Sequence, residues 1–262
     1  GGTHTYQKIL KFKNLKELGE LVAPHSYRIL KKDCLDLPDK VYMKRYVELT
    51  DEQKKAYAEM KENALATLNG SSATAFNVLT QLIRLHQITC GHMATDNHDI
   101  INIKSNRLNE LMQILGETSG KVIIWANYIY DIHQIEKAVE KEFGSDSYCT
   151  YYGATLAKDR QKCINDFQDP DSPVRFFIGN TQTGGYGITL TAASTVIYYS
   201  NNYDLEKRIQ SEDRAHRIGQ KNKVLYIDLV AKGTVDVKII RSLRNKVNIA
   251  KEISGEELIA WI

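Results

Sequence analysis

Two arginines and a glycine-rich turn are the parts of this chain best suited to chemistry on phosphates. Arg214 and Arg217 stand in the stretch Gln210-Ser211-Glu212-Asp213-Arg214-Ala215-His216-Arg217-Ile218-Gly219-Gln220. Side chains three apart share a face when the segment is helical. Guanidinium groups stay charged and grip pairs of oxygens in a fork, so two on one face suit a polyphosphate. Taken alone, the stretch is explained as well by a surface helix whose arginines pair with Glu212 or Asp213. The second feature is Thr181-Gln182-Thr183-Gly184-Gly185-Tyr186-Gly187-Ile188-Thr189-Leu190. Its glycines let a backbone turn tightly and approach a phosphate closely, and a helix expected from about Gly187 would add its N-terminal dipole. An ordinary strand-to-helix turn is the competing explanation. The G-x-G-x-x-G spacing of a dinucleotide fingerprint is absent, which weighs against dehydrogenase and methyltransferase classes.

The elements around these features change character near residue 104. Before it the pattern is mainly helical. Thr50-Asp51-Glu52-Gln53 reads as a capping box, followed by Tyr57, Met60, Ala64 and Leu68 at helical spacing. A second helix is expected from about Ser72 to Cys90, with Leu79, Leu82, Ile83 and His86 on one face. Residues 29–49, with Leu37-Pro38, read as an extended connector. After residue 104, strand-like runs at Val122–Trp125, Tyr148–Tyr152, Val174–Ile178, Thr195–Tyr199 and Val224–Val230 mostly alternate with helical patterns. Short buried strands separated by helices imply a parallel sheet covered on both faces, and the loops at the carboxyl ends of its strands are where ligands are sought. A last helix from Val235 to Ala250 places Ile239, Ile240, Leu243 and Val247 on one side, with Lys238, Arg241 and Asn245 facing away.

Gln-x-x-Asp-Arg-Ala-His-Arg-Ile-Gly-Gln resembles the last helicase motif of Swi/Snf-type ATPases in superfamily two. Gly-Gly-Tyr-Gly-Ile-Thr-Leu-x-x-Ala is similar to the motif before it. Lys121-Val122-Ile123-Ile124-Trp125 and Tyr152-Gly153-Ala154-Thr155, with Arg160 and Phe167 downstream, resemble the opening motifs of the same lobe. Leu37-Pro38-Asp39-Lys40, Leu49-Thr50-x-x-Gln53 and Leu82–Ile88 resemble the linker that joins the two lobes. The resemblance implies an α/β fold with a RecA-like parallel sheet flanked by helices. It divides the chain into an inter-lobe linker and helical insertion over residues 1–103 and a C-terminal lobe with a closing helix over residues 104–262.

The resemblance also implies roles. Arg214 and Arg217 would be arginine fingers for ATP, with Gln210, Gly185 and Gly187 on the nucleotide side. ATP and Mg²⁺ would be held mainly by a preceding lobe. Asn127, Gly153, Thr155 and Thr189 would touch the DNA backbone, with Arg160 supporting them. Such contacts carry no sequence information, as a motor on any duplex requires. The implied partners are double-stranded DNA and the N-terminal lobe, with the isolated lobe a monomer. One departure stands where the family often has Trp-Asn-Pro: here the residues are Asn202-Tyr203-Asp204.

Other features argue mainly by exclusion. No G-x-x-x-x-G-K-[ST] loop occurs; Gly116 to Lys121 has the wrong spacing and Val122 where a hydroxyl should bind Mg²⁺, so it reads as a helix stop. The elements that bind most of the nucleotide are therefore expected in a lobe ahead of this chain, and this chain alone should not hydrolyse ATP. His86, Cys90, His92 and His98 lack the paired spacing of a zinc site, so no metal site is expected. A net charge of +3, from 35 basic and 32 acidic residues, announces no partner. Cys34, Cys90, Cys149 and Cys163 are widely spaced with no C-x-x-C pair, which suits a reduced intracellular protein without a disulfide framework. No apolar run approaches the roughly 18 residues of a membrane span. The alternatives are a strand-separating helicase or restriction-translocase subunit, and a nucleic-acid-binding module that never hydrolyses ATP.

Overall fold

The computed structural model describes residues 13–25, 35–69, 75–97, 99–184 and 187–254. A short helix α1 (Leu15–Val22) comes first, then strand β1 (Lys40–Val47) and helices α2 (Asp51–Asn69) and α3 (Ala75–Cys90). A small antiparallel ribbon, β2 (His92–Ala94) with β3 (Ile100–Asn102), follows. The alternating part is α4 (Arg107–Glu117), β4 (Lys121–Trp125), α5 (Ile129–Phe143), β5 (Tyr148–Tyr151), α6 (Ala157–Gln168), β6 (Phe176–Gly179), the single turn α7 (Thr181–Gly184), β7 (Ala193–Tyr198), α8 (Leu205–Ala215), β8 (Val224–Ala231) and α9 (Val235–Ser254). Six strands form one sheet in the order β1-β8-β7-β4-β6-β5, and every pairing in it is parallel.

Alternation along the strands builds two cores from one sheet. Val122 and Ile124 of β4 face a layer containing Leu111, Leu115, Ile132, Ile135 and Val139 from α4 and α5. Ile123 and Trp125 face the opposite way, toward Cys163 and Phe167 of α6 and Ala215 of α8. Residues 122 to 125 are wholly buried, as in a central parallel strand covered on both sides. The five strand runs read from the sequence all form strands.

Three expectations need correction. The segment taken as an extended connector contains β1, which pairs with β8 over its whole length from Lys40↔Val224 to Val47↔Ala231. Its exposed Val41, Met43 and Tyr46 hide the strand pattern, because an edge strand half open to water lacks the continuous apolar run of a central one. On α3, Leu79 and Ile83 are exposed; burial begins at Leu85, where the helix reaches the body of the protein. Cys149 and Cys163 form a disulfide, their Cα atoms 5.5 Å apart. The fold turns from β5 into α6 between them, a proximity that spacing alone does not reveal. Cys90 is free and buried, and Cys34 lies outside the described residues.

The helical front is fastened to the sheet by polar contacts. The capping box forms, with Gln53 N donating to Thr50 Oγ1 (3.2 Å) and Thr50 N to Gln53 Oε1 (3.1 Å). Arg107 is fully buried and ties α3, the end of β7, β8 and α9 together. It donates to the carbonyls of Thr89 (3.0 Å), Tyr199 (2.6 Å) and Leu229 (3.1 Å) and to the carboxylate of Asp236. Burial alone would raise the Asp236 pKa, but Arg107, His86 and the Ala231 N–H together hold it below the usual carboxylate value. The suspected zinc residues have other occupations: His86 Nδ1 lies 2.8 Å from Tyr128 Oη and His92 Nδ1 3.1 Å from Asp131 Oδ1. His98 lies outside the described residues. Among the described residues no helix is long and apolar enough to cross a membrane.

His86 has a consequence in solution. Burial lowers its pKa, with Arg107 and His92 opposing protonation and Asp236 and Asp131 favouring it. A folded-state value below the unfolded one means that unfolding takes up a proton at mildly acid pH. Stability from His86 is therefore full above pH ~6.5 and lost as pH falls below it. The melting temperature should drop between pH 7.5 and 5.5, and His86→Asn should flatten that drop when both proteins are followed by thermal denaturation.

Candidate functional site

The arginine stretch opens as a helix and does not stay one. Asp204 caps α8, its carboxylate accepting from Lys207 N at 3.2 Å. Asn202 Oδ1 in turn accepts from Asp204 N at 2.9 Å. The tripeptide that departs from the family pattern thus makes a functional helix start. The helix ends at Ala215, so Arg214 lies in its last turn and Arg217 in the bend beyond. The two do not share a helical face, as their spacing had implied. Gln220 is the cause: its buried Nε2 is within reach of the carbonyls of Ala215 (3.1 Å), Thr191 (3.1 Å) and Ala193 (2.8 Å). Gly219 turns the chain at φ 99°, where a side chain would be strained.

The pair nevertheless forms one electropositive place. Arg217 is exposed and Arg214 half-buried, with Arg214 Nη1 3.4 Å from the Ile188 carbonyl. Burial, and then the positive charge of Arg217, push the Arg214 pKa below the usual guanidinium value. Two like charges close enough to disfavour each other are relieved by an anion between them. Arg214 O accepts from Leu190 N at 2.9 Å, which joins the glycine segment to the arginine turn. Residues 187–190 are not helical, so no helix dipole begins at Gly187 (φ 63°). Gly185 lies outside the described residues. Gln210, half-buried, donates to Glu206 at 2.9 Å.

The remaining candidates gather at the other end of the sheet. Asn127 follows β4, Gly153 and Thr155 follow β5, and all three sit at carboxyl ends of strands. Asn127 N donates to Ser200 Oγ (2.8 Å), its carbonyl accepts from Asn180 Nδ2 (2.9 Å), and its Oδ1 lies 3.5 Å from Asn202 Nδ2. Thr155 Oγ1 accepts from Tyr152 N at 3.1 Å and closes a tight turn around the exposed Gly153. Arg160 Nη2 donates to the carbonyls of Tyr152 (3.2 Å) and Gly153 (2.9 Å), so it holds this turn from behind. Thr189 is not with this group. It lies between Ile188 and Leu190, both bonded to Arg214, next to the amino end of β7.

The sheet therefore separates two places, and only one of them lies at the carboxyl ends of strands, where ligands of such sheets are sought. α8 runs back along β7, carrying the arginines from the carboxyl end to the amino end. Sequence reasoning missed Asn180, Ser200 and Asn202, which hold Asn127. Each stands at or just after the end of an apolar strand run, which is a usable signal. It also missed Arg208. This buried guanidinium sits 3.4 Å above the Tyr198 ring and bonds Glu212 (2.9 Å), Asn201 (2.6 Å) and Asp228. One of three cations in an 11-residue charged helix gives no such signal. The imitation phosphate loop is a helix stop: Arg175 donates to the carbonyls of Leu115 (3.0 Å) and Gly120 (2.9 Å), and Lys121 to that of Asp169 (2.6 Å).

Comparison with known proteins agrees with this architecture. Residues 104–219 match the helicase conserved C-terminal domain. The chain is a RecA-like helicase C-terminal lobe. It belongs to the Swi/Snf type: it is 30% identical over 90% of its length to the ISWI chromatin-remodeling complex ATPase ISW1 of Saccharomyces cerevisiae. It is 29% identical over 95% of its length to the putative ATP-dependent helicase/translocase YwqA of Bacillus subtilis. It spans 22% and 28% of those two proteins. The Sulfolobus solfataricus SWI2/SNF2 ATPase core in complex with double-stranded DNA superposes on 92% of the chain and 52% of its own, with TM-score 0.64 and 28% identity.

If Gln220 shapes the arginine turn, Gln220→Ala should leave three buried or half-buried carbonyls short of a donor. A loss of about 1–3 kcal/mol in urea unfolding is expected, with faster amide exchange at Arg217 to Gln220 than elsewhere in the lobe.

Proposed function

We propose that this chain is the second motor lobe of an ATP-driven double-stranded DNA translocase. The observation that carries the proposal is the arginine turn. Arg214, whose pKa is lowered by burial and then by the charge of Arg217, and the exposed Arg217 are presented together at the amino end of the sheet by a buried glutamine. Arg214 and Arg217 meet the γ-phosphate of ATP, which is bound with Mg²⁺ mainly by a preceding lobe. Gln210 and the segment containing Gly185 and Gly187 line the same side of the cleft.

The chemistry asked of this lobe is electrostatic. Positive charge fixed in advance stabilises the negative charge that spreads over the transferring phosphoryl group. A half-buried Arg214 behind an exposed Arg217 supplies that charge without reorganising at the moment of reaction. At the opposite end Asn127, Gly153 and Thr155, braced by Asn180, Ser200 and Arg160, contact DNA phosphates, and Thr189 lies on the segment that runs toward the arginines. Residues 1–103 act as linker and helical insertion, lending β1 to the sheet of the lobe over residues 104–262. Working alone, this chain is a monomer that does not turn over ATP; the complete protein acts on DNA inside the cell.

ATP turnover of the full-length protein, measured with and without duplex DNA, tests the proposal. DNA should stimulate hydrolysis strongly, and Arg217→Ala should reduce stimulated turnover about 10³-fold or more. Turnover indifferent both to DNA and to Arg217 contradicts it. A displaced single strand among the products would make the enzyme a strand-separating helicase instead.

A further inference from the structure

We propose that the linker-side strand sets the arginine turn: Lys40, Tyr42 and the Pro38 carbonyl are positioning groups for hydrolysis. The inference rests on the function proposed above and gives a role to residues outside the arginine stretch and the glycine segment. Between Glu212 and His216, three side chains of the arginine stretch are held by Pro38 to Tyr42. Glu212 Oε2 accepts from Tyr42 Oη at 2.8 Å and from Lys40 Nζ at 3.1 Å. Lys40 Nζ is also 3.6 Å from Asp213 Oδ1. His216 Nε2 donates to the Pro38 carbonyl at 2.7 Å. Each held residue is within one or two positions of an arginine, and none of these contacts uses an arginine.

The strand that makes these contacts is fixed in turn. β1 is paired with β8 along its whole length. The Tyr42 ring stacks on Tyr226 with centroids 5.2 Å apart, and Tyr226 Oη donates to the Glu212 carbonyl at 3.0 Å. The other Glu212 oxygen, Oε1, is taken by Arg208. Glu212 is therefore clamped between the body of the lobe and the strand that arrives from the linker. A shift of the residues before Pro38 relative to the sheet reaches the arginine turn through four polar contacts. Transition-state contacts tolerate little of this, since misplacement by about 1 Å can cost ~10²-fold in rate.

Lys40 and Tyr42 touch neither nucleotide nor DNA in this scheme, so their loss should appear in kcat. In the full-length protein Tyr42→Phe keeps the stacked ring and removes one hydrogen bond. A threefold fall in DNA-stimulated kcat is expected, and a tenfold fall with Lys40→Met added. KM for ATP and Kd for duplex DNA should stay within twofold, and Lys40→Arg should keep near-normal kcat. Arg217→Ala serves as the reference. If it abolishes turnover while Tyr42→Phe and the double variant keep wild-type kcat, this inference alone is overturned. A kcat loss that is matched by a rise in KM and a fall in melting temperature, or that Lys40→Arg does not avoid, also overturns it in favour of a structural role. If Arg217→Ala leaves turnover intact, the underlying function falls, and this inference with it.

Discussion

The buried guanidinium of Arg208 is the interaction on which the arginine turn depends. It is removed from water, stacked on Tyr198 and surrounded by Glu212, Asn201 and Asp228, so its charge and donors are matched inside the protein. Burial opposes its charge, but Asp228, Tyr198 and Glu212, with the hydrogen bond to Asp228, together raise its pKa. Breaking such a cluster by removing one member leaves another buried charge without compensation, a cost of about 3–5 kcal/mol. The cluster joins α8 to β7 and β8 and fixes the rotation of the helix about its axis. The faces of Glu212 and Arg214 follow from that rotation.

A second buried cation does the same for the rest of the chain. Arg107 binds α3, β7, β8 and α9 through three carbonyls and Asp236, while Thr89 Oγ1 reaches the other Asp236 oxygen at 2.9 Å. The front helices are thus attached to the sheet through directional polar contacts. An apolar contact of equal area would permit sliding; a fork of hydrogen bonds to fixed carbonyls does not. Between these anchors the sheet keeps its two ends apart. The Asn127, Gly153 and Thr155 loops occupy the carboxyl ends, and Arg214 and Arg217 the amino end. In a motor, that arrangement lets one rigid body carry both nucleotide and track contacts, so that displacement at one is displacement at the other.

Much of this was legible in the sequence. The apolar runs at 122–125, 176–178 and 196–198 belong to strands buried on both faces, the pattern expected of central parallel strands. The motif string from Gln210 to Gln220 identified the lobe. What could not be read is what depends on distant partners. β1 is an edge strand whose outward residues are half apolar, so neither clean alternation nor a continuous run announces it. Arg217 leaves the helix because Gln220, five residues on from Ala215, reaches back to cap it, a tertiary arrangement that the three-residue spacing of the arginines conceals. Cys149 and Cys163 meet only because β5 and α6 pack side by side. Lys40, Tyr42 and Arg208 look like ordinary surface or strand residues until α8 is placed against them.

The proposed separation of a nucleotide place and a DNA place by one sheet is tested most directly by amide hydrogen exchange of the full-length protein, first with duplex DNA alone and then with a non-hydrolysable ATP analogue added. DNA alone should protect Asn127–Tyr128 and Gly153–Thr155 and leave Arg214–Gly219 unchanged, and the nucleotide should then protect Arg214–Gly219. Protection of the arginine turn by DNA without nucleotide, or of neither region by either ligand, would contradict the two-ended arrangement.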